Sequence, residues 1–194
     1  TFASNRIGGL PGSGMPGSLS SSGLKLQNLG GGAIVWAVTD NQVRGYNTYG
    51  VEVVAGGGGG GQSGVVQTTV TGNTIAEPGT SSTAEGLAKQ GLHYNIGTAT
   101  GDTFQACADI RDNTLTGSGA DGTPATGINV DVRLRQRQLT TFRLVSYVGA
   151  NNDATAVQTY LAARNTGAPT VRAEHSVASG GGGYVGVPVC PAVP

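Results

Sequence analysis

Four residues carry most of the chemistry open to this chain: Glu52, His93, Asp131 and Arg133. Glu52 lies in Gly50-Val-Glu-Val53 and His93 in Gly91-Leu-His-Tyr94, two pieces of the form Gly-apolar-x-apolar. Gly23-Leu-Lys-Leu26 and Gly127-Ile-Asn-Val130 share that form. In a strand the third position of each piece points away from its apolar neighbours. Lys25, Glu52, His93 and Asn129 therefore line up if the pieces stack, with Gln27, Val54, Asn95 and Asp131 two residues further on. Stacked strands sit about 4.8 Å apart, which makes Glu52 and His93 neighbours and lets Asp131 and Arg133 complete a polar cluster. A carboxylate pair in such a cluster can supply a general acid and a general base. A base beside a cation suits proton abstraction next to an acidic group. The same side chains also make an ordinary solvated strand face, with Glu52 between Lys25 and His93, and that is the expected reading.

The elements that would position these residues recur along the chain. Phe2-Ala-Ser-Asn5-Arg-Ile7, Val38-Thr-Asp-Asn41-Gln-Val43, Val70-Thr-Gly-Asn73-Thr-Ile75 and Ile110-Arg-Asp-Asn113-Thr-Leu115 align on their asparagines. An apolar residue stands three before and two after each Asn, and Gly8, Gly45 and Gly117 close three of the units. The Asn-to-Asn spacings are 36, 32 and 40 residues, a period that points to a solenoid or array. A further strand is expected ahead of each Asn, over 33–38, 65–70 and 103–110. Alternation of apolar and polar residues marks half-buried strands, and coils of such strands enclose a core only by stacking. At the corner an Asn amide can bond the equivalent Asn above and below while satisfying the turn backbone, and Asn tolerates left-handed backbone there. Asn5, Asn41, Asn73 and Asn113 are thus structural corner residues, and Arg6, Gln42, Thr74 and Thr114 are their polar outer ladder.

Over residues 1–140 these motifs resemble right-handed parallel β-helix proteins of the pectate-lyase-like kind, and more narrowly the C-terminal part of large bacterial surface or secreted β-helix repeat proteins. The resemblance implies an all-β, right-handed parallel β-helix of about four coils over 1–139, the first incomplete, with a C-terminal cap over 140–194. It also implies that an enzyme of this kind would use Glu52, His93, Asp131 and Arg133 on an acidic polysaccharide. In the cap, Thr141–Val148 reads as strand and Asn151–Asn165 as the one convincing helix, N-capped by Asn152 or Asp153 and stopped by Gly167 and Pro169. Val171–Val177 reads as a further strand. Loops are expected over 9–22, 56–61, 77–85, 98–102, 117–126 and 180–183, all rich in small and turn-forming residues. The glycine run at 56–61 lacks the Lys-Ser/Thr of a phosphate-binding loop.

Composition narrows the function further. Charged residues make up 11% of the chain and the formal net charge is zero. Arg133, Arg135 and Arg137 share one strand face, too small a basic surface for nucleic-acid binding. The longest apolar run, Ala33–Val38, is far short of the roughly 20 residues of a membrane helix. No spacing suits zinc or calcium, and no cofactor is expected. The two cysteines, Cys107 and Cys190, fit one disulfide in an oxidising compartment or two reduced thiols. The chain opens inside a repeat at Thr1 and is expected to be a processed or excised C-terminal part of a longer protein. The expected function is a structural or adhesive module outside the cell or on its surface, self-assembling through its N-terminal coil edge into a homo-oligomer, a fibre or a larger array. The alternatives are a carbohydrate-active β-helix enzyme and a carbohydrate- or ice-binding surface, with Trp36 pointing inward rather than forming a sugar platform.

Overall fold

The computed structural model describes residues 1–9, 22–79, 89–118, 130–176 and 181–193. The chain winds as a parallel β-solenoid with three strands per coil. The first coil holds β1 (Phe2–Ala3), β2 (Arg6–Ile7) and β3 (Leu24–Asn28); the second holds β4 (Ala33–Thr39), β5 (Gln42–Val43) and β6 (Tyr49–Ala55). The third holds β7 (Val65–Thr71), β8 (Thr74–Ile75) and β9 (Gln90–Ile96), and the fourth β10 (Gln105–Arg111), β11 (Thr114–Leu115) and β12 (Val132–Gln136). After them come β13 (Thr141–Val145), helix α1 (Ala154–Arg164), β14 (Val171–Glu174) and β15 (Gly183–Val187). Like strands of successive coils pair in parallel. Sheet A runs β1-β4-β7-β10-β13-β15, sheet B runs β2-β5-β8-β11, and sheet C runs β3-β6-β9-β12-β14.

Alternation decides which side chains go in. On sheet A, Val66, Val70, Ala106, Ala108, Ile110, Phe142, Leu144 and Tyr184 are all 2% exposed or less. On sheet C, Val51, Val53, Leu92, Tyr94, Val132 and Leu134 meet them across the core. With few aromatics available, Tyr94, Phe142 and Tyr184 form one cluster, edge-to-face and tilted, at 5.5 and 5.7 Å between neighbouring ring centroids. Trp36 pairs with the buried Thr68 and faces inward; it stays half-buried because β1 of the first coil pairs only with Val38 and Thr39 and leaves no strand beside it among the described residues.

The asparagine corner is the most regular feature. Asn41 Oδ1 accepts from the main-chain N–H and side-chain amide of Asn5, at 2.9 and 3.0 Å. Asn73 and Asn113 accept the same pair of bonds from Asn41 and Asn73, at 2.8–3.0 Å. The amides of Asn41, Asn73 and Asn113 also donate to a main-chain carbonyl of the preceding coil, Phe2 O, Val38 O and Val70 O. The left-handed backbone belongs to the residue before each Asn: Ser4, Asp40, Gly72 and Asp112 have φ between 57° and 69°. This corrects the expectation that the Asn itself adopts it. The polar ladder Arg6–Gln42–Thr74–Thr114 is in register.

Residues 140 onward both continue the coils and close them. β13 pairs with β10, β14 with β12, and β15 with β13. Asn165 adds a fifth rung, accepting from Asn113 N at 3.1 Å and Nδ2 at 2.9 Å. The helix is inserted between β13 and that rung, N-capped by Asp153, whose carboxylate accepts from Ala156 N at 2.9 Å. Asn152 is not the cap; it sits at φ 67°. Val157 and Leu161, both 0% exposed, press into the end of the core.

The glycine run 56–61 is a tightly stacked turn. A Cβ on Gly56 would lie 2.1 Å from Asp102 Oδ2, and one on Gly60 2.7 Å from Thr100 O. Asp102, fully buried, accepts from Gln62 N and Ala99 N and holds the two loops together. The expected loops at 9–22, 77–85, 117–126 and 180–183, the end of the strand expected over 171–177, and the first residues of Gly127–Val130 lie wholly or partly outside the described residues.

Candidate functional site

The polar side chains of sheet C form one file across its outer face. Lys25 pairs with Glu52, Glu52 with His93, His93 with Arg133, and Arg133 with Arg172. Glu52 and His93 are therefore neighbours, as their pieces predict. The fourth piece is not in the expected register: Arg133, not Asn129, stands beside His93. The apolar residues decide this. Val132 and Leu134, both fully buried, stack on Leu92 and Tyr94, and their burial outweighs the Gly-apolar-x-apolar likeness four residues earlier.

Asp131 consequently stands apart from the file. It falls one residue before the start of β12, opposite Gly91. Its Oδ1 accepts from Ser118 N at 3.1 Å and its Oδ2 from Thr170 N at 2.9 Å. Both oxygens are engaged by main-chain amides of neighbouring turns, so Asp131 does not form a carboxylate pair with Glu52.

The file is also not a solvated face. Glu52 is 8% exposed, His93 2% and Arg133 8%, and every residue of β6 is buried. Glu52 accepts from the Ser22 hydroxyl at 3.0 Å and pairs with the half-exposed Lys25 at 3.5 Å. Arg133 donates to both oxygens of Glu174, at 2.9 and 3.2 Å. Arg135 and Arg172 reach the same carboxylate at 3.0 and 2.8 Å. Burial pushes the Glu174 carboxyl up, but the Arg133 hydrogen bond and the charges of Arg133, Arg135 and Arg172 outweigh it and hold it below its ordinary value. Glu174 was not foreseen. Its signal is the alternation of Val171-Arg-Ala-Glu174, which places Glu174 beside Arg135 once β14 is in register.

His93 is the unusual member. Its ring centroid lies 4.2 Å from that of Tyr49, and both ring nitrogens are buried without a hydrogen-bond partner. Burial, then the charges of Arg133, Arg135 and Lys25, lowers its pKa to about 3. At neutral pH it is therefore an uncharged imidazole, able to donate from one nitrogen and accept at the other. Asn95 Oδ1 and Arg133 Nε are likewise buried and unpartnered. No group of three or more His, Cys, Asp or Glu side chains suited to a metal occurs among the described residues.

The imidazole makes a testable demand on stability. An unfolded His takes up a proton near its ordinary pKa of about 6.5, whereas folded His93 does not until about 3. Below 6.5 the unfolded state binds more protons, so stability falls as the pH drops through that window. Urea unfolding midpoints measured between pH 7.5 and 5 are expected to decline, and His93→Gln is expected to flatten the slope. Equal slopes for the two proteins would count against a buried neutral imidazole.

On the outer face of sheet A, Cys107 is joined to Cys190, with the two Cα atoms 5.7 Å apart. Cys190 lies in the tail beyond β15, which folds back so that Gln67 Nε2 donates to Pro191 O at 2.5 Å. No helix among the described residues is long and apolar enough to cross a membrane. Comparison with family models, with curated proteins and with solved structures finds no match for this chain.

Proposed function

We propose that this chain is a structural or adhesive β-solenoid module working outside the cell or on its surface, and that it associates through its N-terminal coil edge. The observation that carries the reading is the contrast between its two ends. At the C-terminal end α1 presses Val157 and Leu161 into the core, and Asn165 spends its amide on Leu161 O. At the other end β1, β2 and β3 are the outermost strands of their sheets. Residues 33–37 of β4 have no strand beside them on that side among the described residues, and Phe2 is 42% exposed. An open parallel edge backed by apolar side chains is a template for further pairing. Pairing through this edge alone joins two molecules edge to edge as a closed pair; β14 and β15, which end sheets C and A at the other end, are where such pairs would extend into a fibre or larger array. The disulfide suits an oxidising compartment.

Light scattering over a wide concentration range tests this. The expected result is a dimer that a Phe2→Lys, Ile7→Lys double variant converts to monomer, with negative-stain microscopy showing paired rods. A wild-type chain that stays monomeric at all concentrations would refute the reading.

A second reading, a carbohydrate-active enzyme on an acidic polysaccharide, draws its support from Glu52 beside His93 and from the unpartnered imidazole nitrogens. Release of reducing or unsaturated ends from a polysaccharide panel, abolished by Glu52→Gln, would favour it over the first.

A further inference from the structure

We propose that the Cys107–Cys190 disulfide is a releasable latch: thiol exchange at Cys190 frees the C-terminal tail from the outer face of sheet A and leaves the coils folded. The argument rests on what holds each partner in place. On β10, Ala106, Ala108 and Ile110 point into the core, so Cys107 points outward, between Gln67 on β7 and Arg143 on β13. The core does not use it. The coils on either side are secured independently, by parallel pairing of β10 with β13 over Gln105–Ala108, of β13 with β15 along its whole length, and by the buried Phe142 and Tyr184.

The tail has no such support. Residues 188–193 form no strand, and Pro188 and Pro191 have no N–H to offer a ladder. Pro188, Val189, Pro191 and Ala192 are exposed, Val189 at 68%. Apart from the disulfide, its one polar tie among the described residues is the bond from Gln67 to Pro191 O. Pro191 and Ala192 wall a cleft of about 130 Å³ whose lining includes Gln67, Gln105 and Arg143. With the disulfide closed, the tail lies over Gln67 and Arg143, both half-buried, while Gln105 at the rim is already exposed; with it open, Gln67 and Arg143 face solvent as well.

The chemistry fits the two exposures. Cys107 is 3% exposed and Cys190 is partly exposed, so an incoming thiolate reaches the Cys190 sulfur and expels Cys107 as the thiolate, which then takes a proton. With a dithiol reductant the second thiol displaces Cys190 from the mixed disulfide. The balance is one protein disulfide and one dithiol giving two protein thiols and one cyclic disulfide, two electrons passing to the protein. The released tail carries a free thiol close to the anchoring strand β15.

The test uses the whole chain with and without dithiothreitol under native conditions. ¹⁵N relaxation is expected to show the heteronuclear NOE of Val189 and Ala192 falling at least twofold on reduction. Amide exchange of β10, β13 and β15 is expected to stay within about twofold of the oxidised protein. Cys190→Ser is expected to show the mobile tail without reductant and to ignore its addition. A tail that keeps its NOE after reduction would overturn the latch. So would loss of protection across β10, β13 and β15, which would make the disulfide a staple of the fold, or a disulfide that native reduction cannot open. If Cys190→Ser does not fold, the reduction arm on the unaltered chain decides.

Discussion

Replacing Asn113 with alanine is expected to cost about 3–5 kcal/mol of unfolding free energy, because each buried group left unpaired costs roughly 1–3 kcal/mol. Asn113 is fully buried. Its Oδ1 takes the N–H and the side-chain amide of Asn73, and its Nδ2 donates to Val70 O, Arg111 O and Asn165 Oδ1. Alanine strands the Asn73 N–H and the Val70 carbonyl where no water reaches them. Asn113→Asp is expected to be no better, since its second oxygen faces three acceptors in place of a donor. The gradient along the ladder is the sharper check. Asn5 is exposed and uses only one side of its amide within the chain, so Asn5→Ala is expected to cost under about 1 kcal/mol, the ordinary range for a surface substitution. Urea unfolding of both variants measures the difference. Equal losses would show that the ladder is not a burial-dependent network.

Phe142→Ala should produce a loss of similar size by a different route, about 3–5 kcal/mol for an aromatic core truncation. The side chain is 0% exposed and stands between Tyr94 and Tyr184. On sheet A its neighbour one coil earlier is Ala106 and its neighbour one coil later is Tyr184. The small Ala106 leaves the space that the ring fills. Phe142→Leu keeps most of the volume and is expected to cost less than half as much. Calorimetry and near-ultraviolet circular dichroism read the two variants. Near-equal melting temperatures for Phe142→Ala and the parent chain would show that the core is not close-packed around this ring.

The coil plan was legible because two local rules acted on the same residues. Inward positions had to be apolar, and corners needed an amide that bonds its own kind one coil away. Asn5, Asn41, Asn73 and Asn113 with their flanking apolar residues state both rules, and the strands over 33–39, 65–71 and 105–111 follow from them. The helix was legible for a similar reason, since Asp153, Val157 and Leu161 supply its cap and buried face in a few adjacent residues. Asn165 obeys the corner rule too, but α1 separates it from its strand β13, so the spacing that reveals the other four is absent.

The candidate site was legible only in part. Period and alternation place Glu52 beside His93, because a two-residue repeat states which side chains share a face. They do not state register across a long connection. Two apolar-x-apolar pairs, Ile128/Val130 and Val132/Leu134, compete for the fourth coil, and the choice falls to whichever fills the core against Leu92 and Tyr94. That choice puts Arg133 next to His93 and sends Asp131 to bind turn amides. Burial of the outer face, the three arginines around Glu174 and the bond between two cysteines 83 residues apart are likewise three-dimensional outcomes. The amino-acid sequence by itself determined the repeat, the inward and outward faces and the asparagine corner, since each is set by neighbours within a few residues. The tertiary structure alone decided which coil stacks in which register, which polar face loses its water and which thiols meet, because these depend on residues brought together by the winding of the chain.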